Sequence, residues 1–243
     1  IYGHAIYSKE DTSGNLTTHG LAQNDRHVTV IPRVTGGGYA QPTWQWAAAI
    51  AGRVVPWLSD GANGNVSRNQ TGLAVTGLSV PRDKTKWLDY ATRNAFLGSG
   101  LSTWLASVSG GVMIDKLITT SRTVLGVTDT TFRDIQKIGQ LMYAVRKFRA
   151  VLAYEHANKA IADDNPGNIG TISTVRDIKA SLVHAYNDMV KTGVVENVRL
   201  FGERIEVRRD QDNPNRVNIL APVDMANPLD IFAANVRVYS QFR

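Results

Sequence analysis

Cysteine is absent from this 243-residue chain, which excludes disulfides, thiolate metal sites and cysteine nucleophiles. No apolar run approaches the roughly 20 residues that a membrane-spanning helix needs. The longest, around Trp44 to Leu58, is broken by Gln45, Gly52, Arg53 and Pro56. No signal peptide is visible. The first residue is Ile1 rather than Met, so we expect a piece of a longer chain. The net charge is +6, from 27 basic and 21 acidic residues, yet no block of five or more basic residues accompanies it. A nucleic-acid arm therefore has no sequence to carry it.

The motifs of catalysis are missing as well. His4, His19, His27, His156 and His184 are not paired at metal-ligand spacing, and no HExxH occurs. Gly36-Gly37-Gly38 lacks the Lys and Ser/Thr of a phosphate-binding loop, and Gly98-Ser99-Gly100 follows a helical segment instead of opening one. No GxSxG elbow exists. Neither an enzyme, nor a cofactor, nor a metal is expected.

What is present is an ordinary globular composition, 43% hydrophobic and 20% charged. Residues 1 to 8 alternate as a strand would, Glu10 to Gly20 suits a short helix, and His27 to Pro32 is a β-branched run that reads as a buried strand. Alanine-rich Pro42 to Leu58 and then Lys84 to Leu97 predict helices, the second burying Trp87, Tyr90, Ala91 and Phe96. Leu101 to Val108 and Val112 to Thr120 flank Ser109-Gly110-Gly111, a hairpin pattern.

From Thr130 to Asn158 apolar residues recur every three or four positions (Phe132, Ile135, Ile138, Leu141, Met142, Val145, Phe148, Leu152), with Thr131 and Asp134 as a capping box. Thr174 to Lys191 repeats the pattern, capped by Thr174 and Asp177 and closed by Gly193. Strands around Arg204 to Arg209 and Arg216 to Leu220 flank an Asp212-Asn213-Pro214-Asn215 turn, and a last alternating strand ends the chain. The fold class expected is an α/β core, a partial mixed sheet flanked by helices, over residues 1–121. An α+β C-terminal domain over 122–243 follows, with a terminal strand available for pairing between subunits.

An ordered series of pieces then stands out. Leu117-Ile118-Thr119-Thr120 precedes Gly126-Val127-Thr128-Asp129, and Phe132-Arg133-Asp134-Ile135 opens the long helix. Gly193-Val194-Val195-Glu196-Asn197, Val207-Arg208-Arg209-Asp210, Asp212 to Asn218 and Pro222 to Leu229 follow in turn. Together these resemble the tail sheath proteins of contractile bacteriophages, well from Lys116 to Arg243 and more faintly from Ile1 to Leu97.

The resemblance implies a structural subunit in the tail sheath of a virion, assembled in the host cytoplasm. It implies hexameric rings stacked helically around an inner tail tube, contracting to drive that tube through an envelope. Baseplate and tail terminator proteins are the further partners implied, with no specific nucleic acid and no direct membrane insertion. Terminal arms of such proteins add strands to a neighbour's sheet. Here the implied donor is Asn235, Val236, Arg237, Val238, Tyr239, Ser240, Gln241 and Phe242. The accepting sheet is expected to include Arg204, Glu206, Arg208, Arg216, Asn218 and Leu220. Tube contact is expected near Asp224, Asn227 and Asp230 and at the basic cluster Arg146, Lys147 and Arg149. Sheath proteins normally carry an N-terminal arm and further N-terminal core, and since this sequence starts inside what resembles the central core, we expect those parts either to lie outside the sequence given or to be lost in a truncated form. The competing readings are the sheath of a phage-like injection machine (a bacteriocin or secretion system), a subtilisin-like hydrolase suggested by fold analogy alone, and a basic nucleic-acid module.

Overall fold

The computed structural model describes residues 3–108 and 110–230. It begins with a βαβ unit. Strand β1 (Ala5–Asp11), helix α1 (Ser13–Ala22) and strand β2 (Val28–Val34) follow in order, and the two strands pair in parallel from Ala5↔Val28 to Asp11↔Val34. The crossover helix is what lets adjacent strands run parallel. Thr12 starts it by accepting the Asn15 amide at 3.3 Å. Residues 29–33 of β2 are buried, as the β-branched run predicted.

Helix α2 (Thr43–Ser59) lays Trp46, Ile50 and Val54 into the core at spacings of one turn. Trp46 packs edge-on against Trp104, with ring centres 5.1 Å apart. Arg33 is almost fully buried on β2 yet keeps its charge satisfied. It pairs with Glu10, donates to the Gln41 carbonyl at 2.8 Å, and stacks over the Tyr39 ring at 4.1 Å.

Strands β3 (Ala74–Ser79), β4 (Thr103–Ala106) and β5 (Gly111–Lys116) form an antiparallel sheet in the order β3-β5-β4. The mixed sheet expected from sequence is therefore two sheets among the described residues. They are tied by main-chain bonds from Ser102 to Val30 (2.9 Å) and from Thr120 to Val28 (2.8 Å).

The second predicted helix is shorter than expected. Asp83 caps a single 3-10 turn at Lys84–Lys86, the Trp87 indole turns away to donate to the Pro81 carbonyl, and Asp89 starts α3 (Tyr90–Gly98) afresh. Phe96 is buried, but Tyr90 is 74% exposed and Ala91 is exposed too. The small hairpin of β6 (Thr123–Val124) and β7 (Val127–Thr128) precedes the long helix.

Helix α4 (Ile135–Glu155) starts five residues later than Thr130. The predicted capping box does not form, because Asp129 takes both the Thr131 hydroxyl (2.6 Å) and its amide (2.8 Å), while the Asp134 carboxylate pairs with Lys116 at 2.9 Å. In the second turn of α4, Gly139 is held by close approach: a Cβ there would lie 2.8 Å from the Leu58 carbonyl and 2.9 Å from Val66. Short parallel strands β8 (Ala160–Ile161) and β9 (Ile172–Ser173) lead into α5 (Val175–Lys191), which carries the Thr174/Asp177 capping box predicted for it. Helix α6 (Val198–Arg204) and the antiparallel strands β10 (Glu206–Arg209) and β11 (Val217–Leu220) follow.

Two hydrophobic cores result. One gathers β1 to β5 with α1 to α3 around Trp46, Trp104 and Ile31, and the other gathers α4, α5 and α6 around Tyr186, Phe148 and Phe201. Val66 packs in the second core and Ile135 in the first, because α4 runs along both.

Candidate functional site

Strands β10 and β11 are positioned by α5. One face of the pair carries Val207 and Ile219, directly opposite each other, with Val207 buried. The period of two puts Glu206, Arg208, Asn218 and Leu220 on the other face, where all four are exposed. These are four of the six residues expected in an accepting sheet. The remaining two lie outside the strands: Arg204 ends α6, and Arg216 belongs to the turn before β11. Arg204 is the basic residue in the last turn of α6, where a cation complements the unpaired carbonyls of the helix end. Alternation alone did not reveal that boundary.

The turn between the strands is held by Asp210. Its carboxylate accepts the amides of Asp212 (3.1 Å) and Asn213 (2.9 Å) and the Asn218 side-chain amide (2.7 Å). The Asn213 amide bond, first among these, holds the carboxyl below the usual range. The charged form is thus fixed and the register of β10 on β11 with it. Among the described residues this sheet has two strands only, so each strand keeps one unpaired edge.

Beneath the sheet, Tyr186 of α5 stacks on Phe201 of α6 with ring centres 3.8 Å apart. Its hydroxyl donates to the Glu196 carbonyl at 2.6 Å and accepts the Asp224 amide at 3.1 Å. Burial raises this phenol above its ordinary range, so it remains a donor.

After β11 the chain runs back over α4. Asp224 accepts from the Asn197 side chain, Asn227 from Lys137 at 2.6 Å, and Asp230 pairs with Lys116. The other expected tube-contact group lies elsewhere. Arg146 follows Lys137 by nine residues, two and a half helical turns and about 14 Å, which puts it on the opposite side of α4. There it borders an apolar hollow lined by Ile6, Val55, Leu58 and Met142. Arg149 is exposed and Lys147 half-buried. The acidic and basic groups do not converge. The expected donor, residues 235–242, lies outside the described residues.

No group of three or more His, Cys, Asp or Glu side chains that could hold a metal ion occurs among the described residues, and no helix is long and apolar enough to cross a membrane. His156 sits between two serines, with Ser173 at 2.9 Å and Ser181 at 3.0 Å on its two ring nitrogens. Both nitrogens are occupied by hydroxyls, so the ring tethers the end of α4 to β9 and α5.

With this geometry in view, the comparisons are specific. Residues 127–239 match the phage tail sheath C-terminal domain. The chain is a relative of phage tail sheath proteins. It is 27% identical over 238 residues to the Mu-like prophage FluMu tail sheath protein of Haemophilus influenzae, covering 96% of this chain and 47% of that one. Its fold is similar to that of the sheath tail protein from Desulfitobacterium hafniense, with a TM-score of 0.59 at 16% identity over 91% of this chain and 46% of the other. It is also similar to a chain of the anti-feeding prophage baseplate, with a TM-score of 0.63 at 12% identity over 89% of this chain and 56% of that one. This sheath relative thus spans about half the length of the proteins it matches.

Proposed function

We propose that this sheath relative is part of a structural subunit that joins copies of itself into a contractile tail sheath around an inner tube. The observation that supports the reading best is the two-stranded β10–β11 sheet. It is anchored on one face by α5, mostly polar on the other, and among the described residues unpaired at its outer edges. A third strand supplied by another subunit gains a row of main-chain hydrogen bonds there. Asn235 to Phe242, which alternates Val236, Val238, Ser240 and Phe242 against Arg237, Tyr239 and Gln241, is the segment we assign to that role. Stacked hexameric rings, contraction and a place in the virion tail belong to the same proposal, as do the baseplate and terminator partners.

Tube contact is proposed for one of the two charged groups at a time, since Arg146 and Asp224 sit on different faces of the molecule. A second reading, the sheath of a phage-like injection machine, is favoured by the fold similarity to the anti-feeding prophage baseplate chain. The same assembly chemistry serves both.

Negative-stain electron microscopy of the full-length protein tests the proposal. Tubes or stacked rings are expected, and deletion of Asn235 to Arg243 is expected to abolish them. Dispersed monomers at high concentration, with and without tube protein, would refute self-assembly.

A further inference from the structure

The segment after β11 is irregular. From Ala221 to Asp230 it makes no strand, and its only ladder contact is an isolated bridge between Met225 and Val195. Buried or half-buried carbonyls without a ladder need other donors. Here side chains supply them. The Lys137 ammonium donates to the carbonyls of Met225 (3.2 Å) and Ala226 (3.2 Å) and to the Asn227 side-chain oxygen (2.6 Å). Gln140, completely buried, places its Nε2 within hydrogen-bonding distance of the Ala226 carbonyl (2.7 Å), the Ser67 hydroxyl (2.7 Å) and the Val194 carbonyl (3.1 Å), so its two N–H groups are shared among three acceptors. Asn69 donates to the Leu229 carbonyl at 2.8 Å. Lys116 of β5 bridges Asp134 and Asp230.

The spacing is informative. Asp134, Lys137 and Gln140 recur every three residues, so they form one ridge along the first turns of α4. A half-buried lysine and a buried glutamine are costly unless their donors are used, and both place donors on the Ala226 carbonyl. The lysine is desolvated enough to lower its proton affinity from the ordinary range, with Asp134, Asp224 and Glu196 acting the other way.

We propose that Lys137, Gln140 and Lys116 form a latch that fixes the path of residues 222–230 and thereby sets the point from which residue 231 onward continues. The function of that point rests on the strand-donor reading above; the latch itself does not. Lys137 and Lys116 are positioning residues. They touch the strap, not the accepting sheet, and act on pairing by holding the start of the donor in place. A latch of charge-assisted hydrogen bonds with exposed ends at Asn227 and Asp230 is also sensitive to salt in a way that an apolar seam is not.

The experiment is amide hydrogen exchange on the full-length protein kept dilute, so that copies do not assemble. The reporters are the Asp224 amide, bonded to the Tyr186 hydroxyl, and the Ala226 amide, bonded to the Val194 carbonyl. Lys137→Met is expected to speed exchange at both by at least tenfold while Leu182 and Tyr186 inside α5 keep their protection. Lys137→Arg, which retains donors, is expected to restore exchange to within threefold. Unchanged exchange at Asp224 and Ala226 in both Lys137→Met and Gln140→Leu overturns the latch. Equal acceleration in α5 overturns it too, since the lysine would then serve the whole fold.

A second arm reads assembly. Lys137→Met is expected to lower the assembled fraction about tenfold at the concentration where the unaltered protein is half assembled, and unaltered assembly overturns the positioning role. Intact tubes after deletion of Asn235 to Arg243 would instead sink the donor reading and leave the exchange result standing.

Discussion

Tyr186 and Phe201 lie face to face, 3.8 Å between ring centres and 5° from parallel, and the tyrosine hydroxyl bonds both to the loop before α6 and to the returning strap. The contact joins α5, α6 and residue 224 at one point, directly below the sheet assigned to assembly. Tyr186→Phe keeps the stack and strands the Glu196 carbonyl and Asp224 amide, an expected cost of about 1–3 kcal/mol. Tyr186→Ala also removes the ring and is expected to cost about 3–5 kcal/mol. Urea denaturation separates the two. No loss in Tyr186→Phe would mean that the hydroxyl contributes nothing, and equal losses in the two variants would mean that the ring adds nothing beyond it.

His4 gives the fold a pH dependence. Burial, aided by the charge of His27, pushes the imidazole down to about 4 from 6.5, and its Nε2 bonds the buried Thr29 hydroxyl at 2.8 Å. The folded form therefore binds a proton less readily than the unfolded chain. The stabilisation is fully present above 6.5 and is lost as pH falls through 4. One unit corresponds to about 1.4 kcal/mol, so with a discount for partial exposure the loss is about 2 kcal/mol. His4→Asn keeps a hydrogen-bonding group for Thr29 and does not titrate. Its stability is expected to fall less steeply than that of the unaltered protein over this window, and parallel curves would refute the assignment.

The β6–β7 hairpin turns through Leu125 and Gly126, both at positive φ (51° and 81°). That is the geometry of a two-residue primed turn, which favours Asn-Gly. A leucine there costs about 1–2 kcal/mol, and Leu125 is fully exposed, with no packing among the described residues to offset it. Leu125→Asn is expected to stabilise the protein by about 1 kcal/mol, or about 2–4 °C in melting temperature for a chain of this size. A lower melting temperature would show that the leucine packs in solution.

Much of the local architecture was legible in the residues. The β-branched run of β2, the alanine helix α2, the Gly-Gly hairpin of β4 and β5, and the Thr174/Asp177 cap follow from periodicity and capping chemistry, which are short-range. The start of α4 was misplaced because Asp129 competes for Thr131, and the second helix was overextended because Trp87 finds the Pro81 carbonyl. Both errors come from side chains choosing partners that helical periodicity does not weigh.

The sequence by itself determined which segments bury which faces, and it carried enough ordered pieces to point to the tail sheath proteins. Only the tertiary structure decided that Lys137 and Gln140 hold the strap, that Asp224 and Arg146 face apart, and that four of the six expected acceptor residues share one exposed face. Those facts depend on which carbonyls lack a ladder partner and on the side of α4 a residue occupies. Both are set by long-range packing of α4 against two cores, which spacing along the chain does not encode.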